Sequence, residues 1–339
     1  MPKKEFYCTD GRRSALMDRK ERPGTGMGHN CWCYVVNEVY LLPALVSASQ
    51  LRAHLGEHSG DILIVCIGEP SDVTRTAAQV GTAYGVELIV APASLLRGQP
   101  MYCARLFLNE CLDGRRYETV TYVDADTQFV GPIGDFATVE PKSGSVLVVP
   151  DIMSITVDHP SKALNSCKHY FEEIGISERN QRIYFNTGVI KFRSGDWEGI
   201  SRECLKVMGR RETGAFRYPD QDALNIVMDG AQTLVSFRWN YPAFFIGRGL
   251  DDIVEPSIVH FMSRPRPWDG PFPPWGRSAY KPYLSFVKDH PELSLLFRPA
   301  RNGRLVRYML QQAFKISTEP WGTEFFRSRI AKFEAAAAV

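Results

Sequence analysis

CWCYVVNEVYLLPALVSASQLRAHL, residues 31–55, decides the fold. Residues 31–36 form an apolar run with aromatic and β-branched side chains and no polar alternation, which reads as a strand covered on both faces. The polar loop NEVY follows, and apolar residues then recur at helical spacing through Leu55. The alternation continues outward: DILIVCIG (61–68) reads as a strand, SDVTRTAAQV (71–80) as a helix and VELIV (86–90) as a third strand. ARLFLNECL (104–112) reads as a helix, and ETVTYVDADTQFV (118–130) as one strand ending in acidic residues. GSVLVVPD (144–151), IYFNTGVIKF (183–192) and SIVHF (257–261) supply further strands, with helices from Trp197 to Met208 and in YPDQDALNIVM (218–228). The pattern is that of an α/β fold with a mostly parallel mixed sheet flanked by helices. Residues 265–283, PRPWDGPFPPWGRSAYKPY, are so rich in proline and aromatics that they predict an ordered, irregular loop.

Composition sets the frame but selects no chemistry. A chain of 339 residues with 44% hydrophobic and 23% charged residues has enough apolar surface for a large core, which excludes wholesale disorder. The net charge of +2 gives no whole-molecule field for nucleic acid. Basic residues cluster instead at the two ends, from Lys3 to Arg22 and from Arg301 to Lys332. The eight cysteines are scattered, and the C-x-C of Cys31 and Cys33 has no second pair at zinc-site spacing, so reduced core thiols and a reducing compartment are expected. No run of about 18 apolar residues and no compact secretory run is present, so a cytoplasmic location is expected, with peripheral contact on the inner membrane face. The expected organisation is a flexible basic leader at 1–28, a catalytic domain at 29–300 and a basic amphipathic helical tail at 301–339, the segment that would touch the membrane.

Several residues stand where ligands of open α/β sheets sit, beyond the carboxyl ends of the strands. Asp124 and Asp126 flank Ala125 after TVTYV. In an extended segment the two carboxylates point the same way and can hold one hard divalent cation, while Ala125 faces away; a solvated acidic turn is the alternative. His260 at the end of SIVH offers an imidazole to the same cation, or is a hydrogen-bonded structural residue. Arg266 can bind phosphate through its guanidinium fork, with Arg264 competing for that role. Asp220, Gln221 and Asp222 open a helix and are either capping groups or ligands for sugar hydroxyls, with Asp222 expected beside the reacting carbon. Asn186 either holds a hydroxyl or marks a bulge. Tyr40 can stack on a base with Asn37 beside it, and Arg105 reads equally as a ligand contact or a surface residue. No glycine-rich basic triphosphate loop follows the first strand, which disfavours a nucleotidyltransferase.

Taken in order, YVVNEVYLLPALVSASQLR, ARLFL, YVDAD, YFNTGV, DQDALN and HFMSRPRPW resemble the family 8 retaining glycosyltransferases, which include glycogenin and the bacterial lipopolysaccharide galactosyl- and glucosyltransferases. The resemblance runs from Tyr34 to Trp268. It implies a Rossmann-like GT-A fold and transfer of a hexose, galactose or glucose, from a UDP-sugar to a glycan, glycolipid or polysaccharide acceptor. It implies manganese, with magnesium as substitute, on Asp124, Asp126 and His260. Donor contacts are implied at Asn37, Tyr40, Arg105, Asp124, Ala125, Asp151, Asn186, Gln221, His260, Ser263 and Arg266, and catalytic roles at Asp222 and Gln221. Two departures stand out: Ser263 replaces the family's usual glycine, and Arg266 its usual lysine. The competing expectations are a glycogenin-like protein that glucosylates itself and a nucleotide-sugar-binding protein with weak or lost transfer.

Overall fold

The computed structural model describes residues 30–56, 60–112, 115–161, 164–210 and 214–337. The expected leader at 1–28 lies outside the described residues. A seven-stranded sheet has the order β3-β2-β1-β4-β7-β6-β8. Its strands are β1 (Asn30–Val36), β2 (Asp61–Ile67), β3 (Val86–Ala91), β4 (Thr119–Val123), β6 (Val146–Pro150), β7 (Phe185–Arg193) and β8 (Gln232–Leu234). β3, β2, β1 and β4 run parallel, whereas β7 is antiparallel to both β4 and β6. A smaller sheet, β5-β10-β9, combines β5 (Thr127–Phe129), β9 (Tyr241–Pro242) and β10 (Ile258–His260). The mixed, largely parallel sheet flanked by helices is the expected fold.

β1 explains why its sequence is apolar without alternation. Trp32, Tyr34 and Val36 enter one core cluster with the helix Leu41–His54, while Cys31, Cys33 and Val35 enter another on the opposite face. β2 divides in the same way, with Ile62, Ile64 and Cys66 on one side and Leu63, Val65 and Ile67 on the other. After its first residue each of these strands is buried throughout, so alternation has no solvent face to report.

Three elements differ from the sequence expectation. Residues 104–107 lie in a 3-10 segment, Met101–Phe107, followed by a short α-helical turn rather than one α-helix. The expected strand 118–130 breaks after Val123, because β5 leaves the main sheet to pair antiparallel with β10. The irregular loop expected through Tyr283 ends early: Gly276–Asp289 is helical, with Pro282 inside it, because buried Ala279, Tyr283 and Phe286 give that segment an apolar face. The segment after Arg301 contains the helices Asn302–Thr318 and Glu324–Glu334, and Tyr308, Trp321, Phe326 and Ile330 are buried in the main core cluster. Among the described residues, seven cysteines are buried and free.

Candidate active site

β4 ends at Val123 and the chain turns through Asp124, Ala125 and Asp126. Thr127 Oγ1 donates to the Asp124 carbonyl at 2.9 Å, and the Asp124 amide donates to Gly188 of β7 at 2.8 Å, which pins the turn between the two sheets. The carboxylates therefore converge through a turn, not through the alternation of an extended strand. The Ala125 side chain faces the core, away from the cavity, as expected of the residue between the two acids.

The small sheet brings the third group. β10 pairs with β5 in a register that sets His260 opposite Thr127, one residue from Asp126. Asp124, Asp126 and His260 each place a ligand atom within 4.8 Å of the others. His260 Nε2 lies 3.1 Å from Asp126 and 3.8 Å from Asp124. The ring fits only because residue 188 is glycine, since a Cβ there would stand 2.5 Å from Nδ1.

Two arginines balance the acids. Arg105 is buried, donates to Asp124 at 3.0 Å, pairs with Asp220 at 2.8 Å and lies over the Tyr122 ring at 4.7 Å. It also donates to the Thr187 carbonyl. The surface alternative for Arg105 is thus set aside. Arg266 Nη1 stands 2.5 Å from Asp126. Burial opposes charge on Asp126, but Arg266 and His260 outweigh it and hold the carboxyl well below the usual range. Burial instead raises Asp220, against the opposing pull of Arg105.

Above this cluster lies a polar network. Asn186 Nδ2 and Gln221 Nε2 both donate to Asp151 Oδ2, at 3.1 and 3.2 Å. Gln221 Oε1 accepts from the Thr187 amide at 3.2 Å, and Asn186 Oδ1 accepts from the Gly188 amide at 2.9 Å. The bulge reading of Asn186 is met: the β6–β7 register shifts between Val148 and Val149, skipping from Ile190 to Asn186. A cleft of about 630 Å³ is lined by Arg105, Asp124, Asp126, Asp151, Asn186, Gln221, His260, Ser263 and Arg266, together with Asp220, Tyr102 and Tyr218.

Asp222 is the main correction. Its side chain is fully buried, with one oxygen accepting from Tyr184 Oη at 2.5 Å and the other from Tyr170 Oη and the Tyr218 amide. It does not line the cleft, because it caps the helix Pro219–Val227 from inside while Asp220 and Gln221 face the cavity. Its burial raises the carboxyl above its ordinary value.

A second recess of about 220 Å³ shares Arg266 with the cleft and is lined by Glu38, Tyr40, Arg264, Trp268, Arg298 and Arg304. The Tyr40 ring meets Trp268 edge-on at 5.9 Å. Asn37 Oδ1 is buried without a partner. Ser263 is exposed and accepts from Lys315 Nζ at 3.2 Å. Sequence reasoning missed Tyr122, whose hydroxyl donates to Asp124 at 2.6 Å. A tyrosine inside an apolar strand needs a partner for its hydroxyl, and that was the available signal.

Residues 31–271 match the family described as Glycosyl transferase family 8. General stress protein A of Bacillus subtilis (strain 168) is 28% identical over 120 residues; the match takes in 31% of this chain and only 42% of that protein's length. The galactosyltransferase LgtC, solved with donor and acceptor sugar analogs, superposes with a TM-score of 0.60 at 17% identity, over 75% of this chain and 95% of that one. The glycosyltransferase GlyE of Streptococcus pneumoniae TIGR4 gives 0.55 at 15% identity, over 80% and 66%. At these identities the structural likenesses establish the shared fold.

Proposed function

The chain belongs to glycosyl transferase family 8, and on that premise we propose that it transfers a hexose, galactose or glucose, from a UDP-sugar to a glycan or glycolipid acceptor with retention at the anomeric carbon. The observation that carries this reading is the meeting, in one cleft, of the Asp124–Asp126–His260 cluster with the Asp151–Asn186–Gln221 network. A diphosphate site and a hydroxyl-binding site side by side suit a nucleotide-sugar.

The donor set fits manganese or magnesium. Two carboxylates and one imidazole are hard to borderline ligands, and His260 Nε2 already faces both acids. Charge supports the fit: Arg105 and Arg266 offset Asp124 and Asp126, so a divalent cation and an anionic diphosphate can enter together without leaving a large uncompensated charge. A bound cation would supply Lewis-acid stabilisation of the departing diphosphate.

The protein's own groups do the rest. Arg266, released from Asp126, offers its planar fork to a phosphate, a geometry that the family's usual lysine lacks. Arg105 holds Asp124 in place through a buried ion pair and keeps Asp220 at the cavity wall. Asp151, Asn186 and Gln221 already exchange hydrogen bonds, so a sugar hydroxyl can replace one partner without leaving the others unsatisfied. Tyr40 stands at the recess that would take the nucleoside, and the unpartnered Asn37 Oδ1 lies buried three residues before it.

The test is UDP release from UDP-galactose, UDP-glucose, UDP-N-acetylglucosamine and UDP-glucuronic acid with manganese, with and without candidate acceptors. Manganese-dependent release from a hexose donor, cut about 100-fold or more by Asp124→Ala, is the expected result. Equal release by wild type and Asp124→Ala would overturn the assignment of the site.

A further inference from the structure

The helix Asn302–Thr318 has two unlike faces. Its inner face grips the segment that carries Arg266: Gln311 donates to the Arg264 carbonyl at 2.8 Å, Gln312 to the Pro273 carbonyl at 2.8 Å and Lys315 to Ser263 at 3.2 Å. Tyr308 is buried there, edge-on to Phe272 at 5.6 Å. Its outer face is bare: Val306, Met309, Leu310 and Phe314 are 57%, 55%, 66% and 68% exposed. Successive positions at i, i+3, i+4 and i+8 place these four side chains along one stripe.

Among the described residues, large exposed apolar side chains elsewhere are scattered over several separate elements, whereas this helix collects them on one side. The helix carries Arg304, Arg307 and Lys315 and no acidic residue, and exposed Arg301 precedes it. Lys315 and Arg304 turn inward, to Ser263 and to the carbonyls of Arg298 and Pro299, whereas Arg307 borders the stripe beside Phe314 and Arg301 stands at the start of the helix. An apolar stripe with arginines at its edge matches the two attractions of an anionic bilayer, whose headgroups meet Arg301 and Arg307 while the acyl boundary takes the stripe. No described helix is long and apolar enough to cross a membrane, so the contact would lie in the interface plane.

We propose that the outer face of the helix Asn302–Thr318 seats this protein on an anionic phospholipid surface through Val306, Met309, Leu310 and Phe314. Because the inner face of the same helix holds the Ser263–Pro274 segment, docking sets the mouth of the cleft beside the lipid headgroups. The proposal is independent of the donor sugar and needs no transfer activity to test it.

The experiment is sedimentation of the full chain with vesicles of phosphatidylcholine alone and of phosphatidylcholine with about 30% phosphatidylglycerol. Binding to the anionic vesicles that weakens as salt rises is expected, with a loss of about tenfold or more in the double variant Leu310→Glu, Phe314→Glu. Both positions are exposed, so circular dichroism should report an intact fold, and Arg301→Glu, Arg307→Glu should lower binding to the anionic vesicles alone. No sedimentation with anionic vesicles at low salt would overturn the proposal. So would equal binding by wild type and the apolar-stripe variant. A wild-type dimer in solution that the stripe variant abolishes, without vesicle binding by the monomer, would assign the face to a second copy and overturn it as well.

Discussion

His260 and Gly188 must be considered as one unit, because the imidazole occupies the volume that any side chain at 188 would need. Gly188→Ala should therefore displace the ring and weaken manganese binding about tenfold or more, measured by titration calorimetry, with a smaller change in thermal stability. Asp222 calls for the opposite outcome. It accepts from two tyrosine hydroxyls and one amide in a fully buried setting, so Asp222→Asn turns an acceptor into a donor facing those donors. Urea unfolding should register a loss of about 1–3 kcal/mol, and UDP release per folded molecule should change far less than in Asp124→Ala. The identities of Asp124, Asp126 and His260 were legible because acids and imidazole at strand ends are a local signal. The division of labour within Asp220, Gln221 and Asp222 was not, since one turn of helix decides which of three consecutive residues faces the cavity.

β7 lines the cleft with Asn186, Thr187 and Gly188 at one end and holds a buried lysine at the other. Lys191, within the strand, donates to the carbonyls of Phe136 and Ala137 at 3.2 and 2.8 Å, and burial lowers its pKa to about 8 from 10.5 against the weaker pull of Glu140. Between about pH 8 and 10.5 the unfolded chain keeps that proton while the folded chain has lost it, so this group makes stability rise with pH across the window. Measured against Lys191→Met, the wild type should gain on the order of 3 kcal/mol between those limits, while a constant difference would contradict the depressed value. Buried thiols point to a second measurement: burial pushes Cys31, Cys103 and Cys111 up to about 12, so thiol reagents at pH 8 should label them only upon unfolding. The strand-helix alternation was readable because β1 and β2 are apolar throughout. The break after Val123 was not, because pairing between β5 and β10 joins residues more than 120 positions apart and leaves no local mark.

Residues beyond the family match complete the body of the molecule. Phe326 is fully buried, packs edge-on against Trp321 at 5.0 Å and shares the main core cluster with β1 and β2. Phe326→Ala should cost about 3–5 kcal/mol in urea unfolding; a loss below about 1 kcal/mol would mean that the helix Glu324–Glu334 is dispensable to the core. From sequence alone this region read as one amphipathic tail, since spacing shows that a helix has an apolar side but not whether that side meets protein or remains open. The helix Glu324–Glu334 buries Phe326 and Ile330, whereas Asn302–Thr318 leaves Phe314 outside. The order of the large sheet has a consequence during synthesis. β4 cannot pair on its second edge until β7 has emerged, because the strand beside it in space is not the next in sequence. A nascent chain that ends before Arg193 thus presents an apolar strand with an open edge, and that interval is when ribosome-bound protein is most in need of a chaperone.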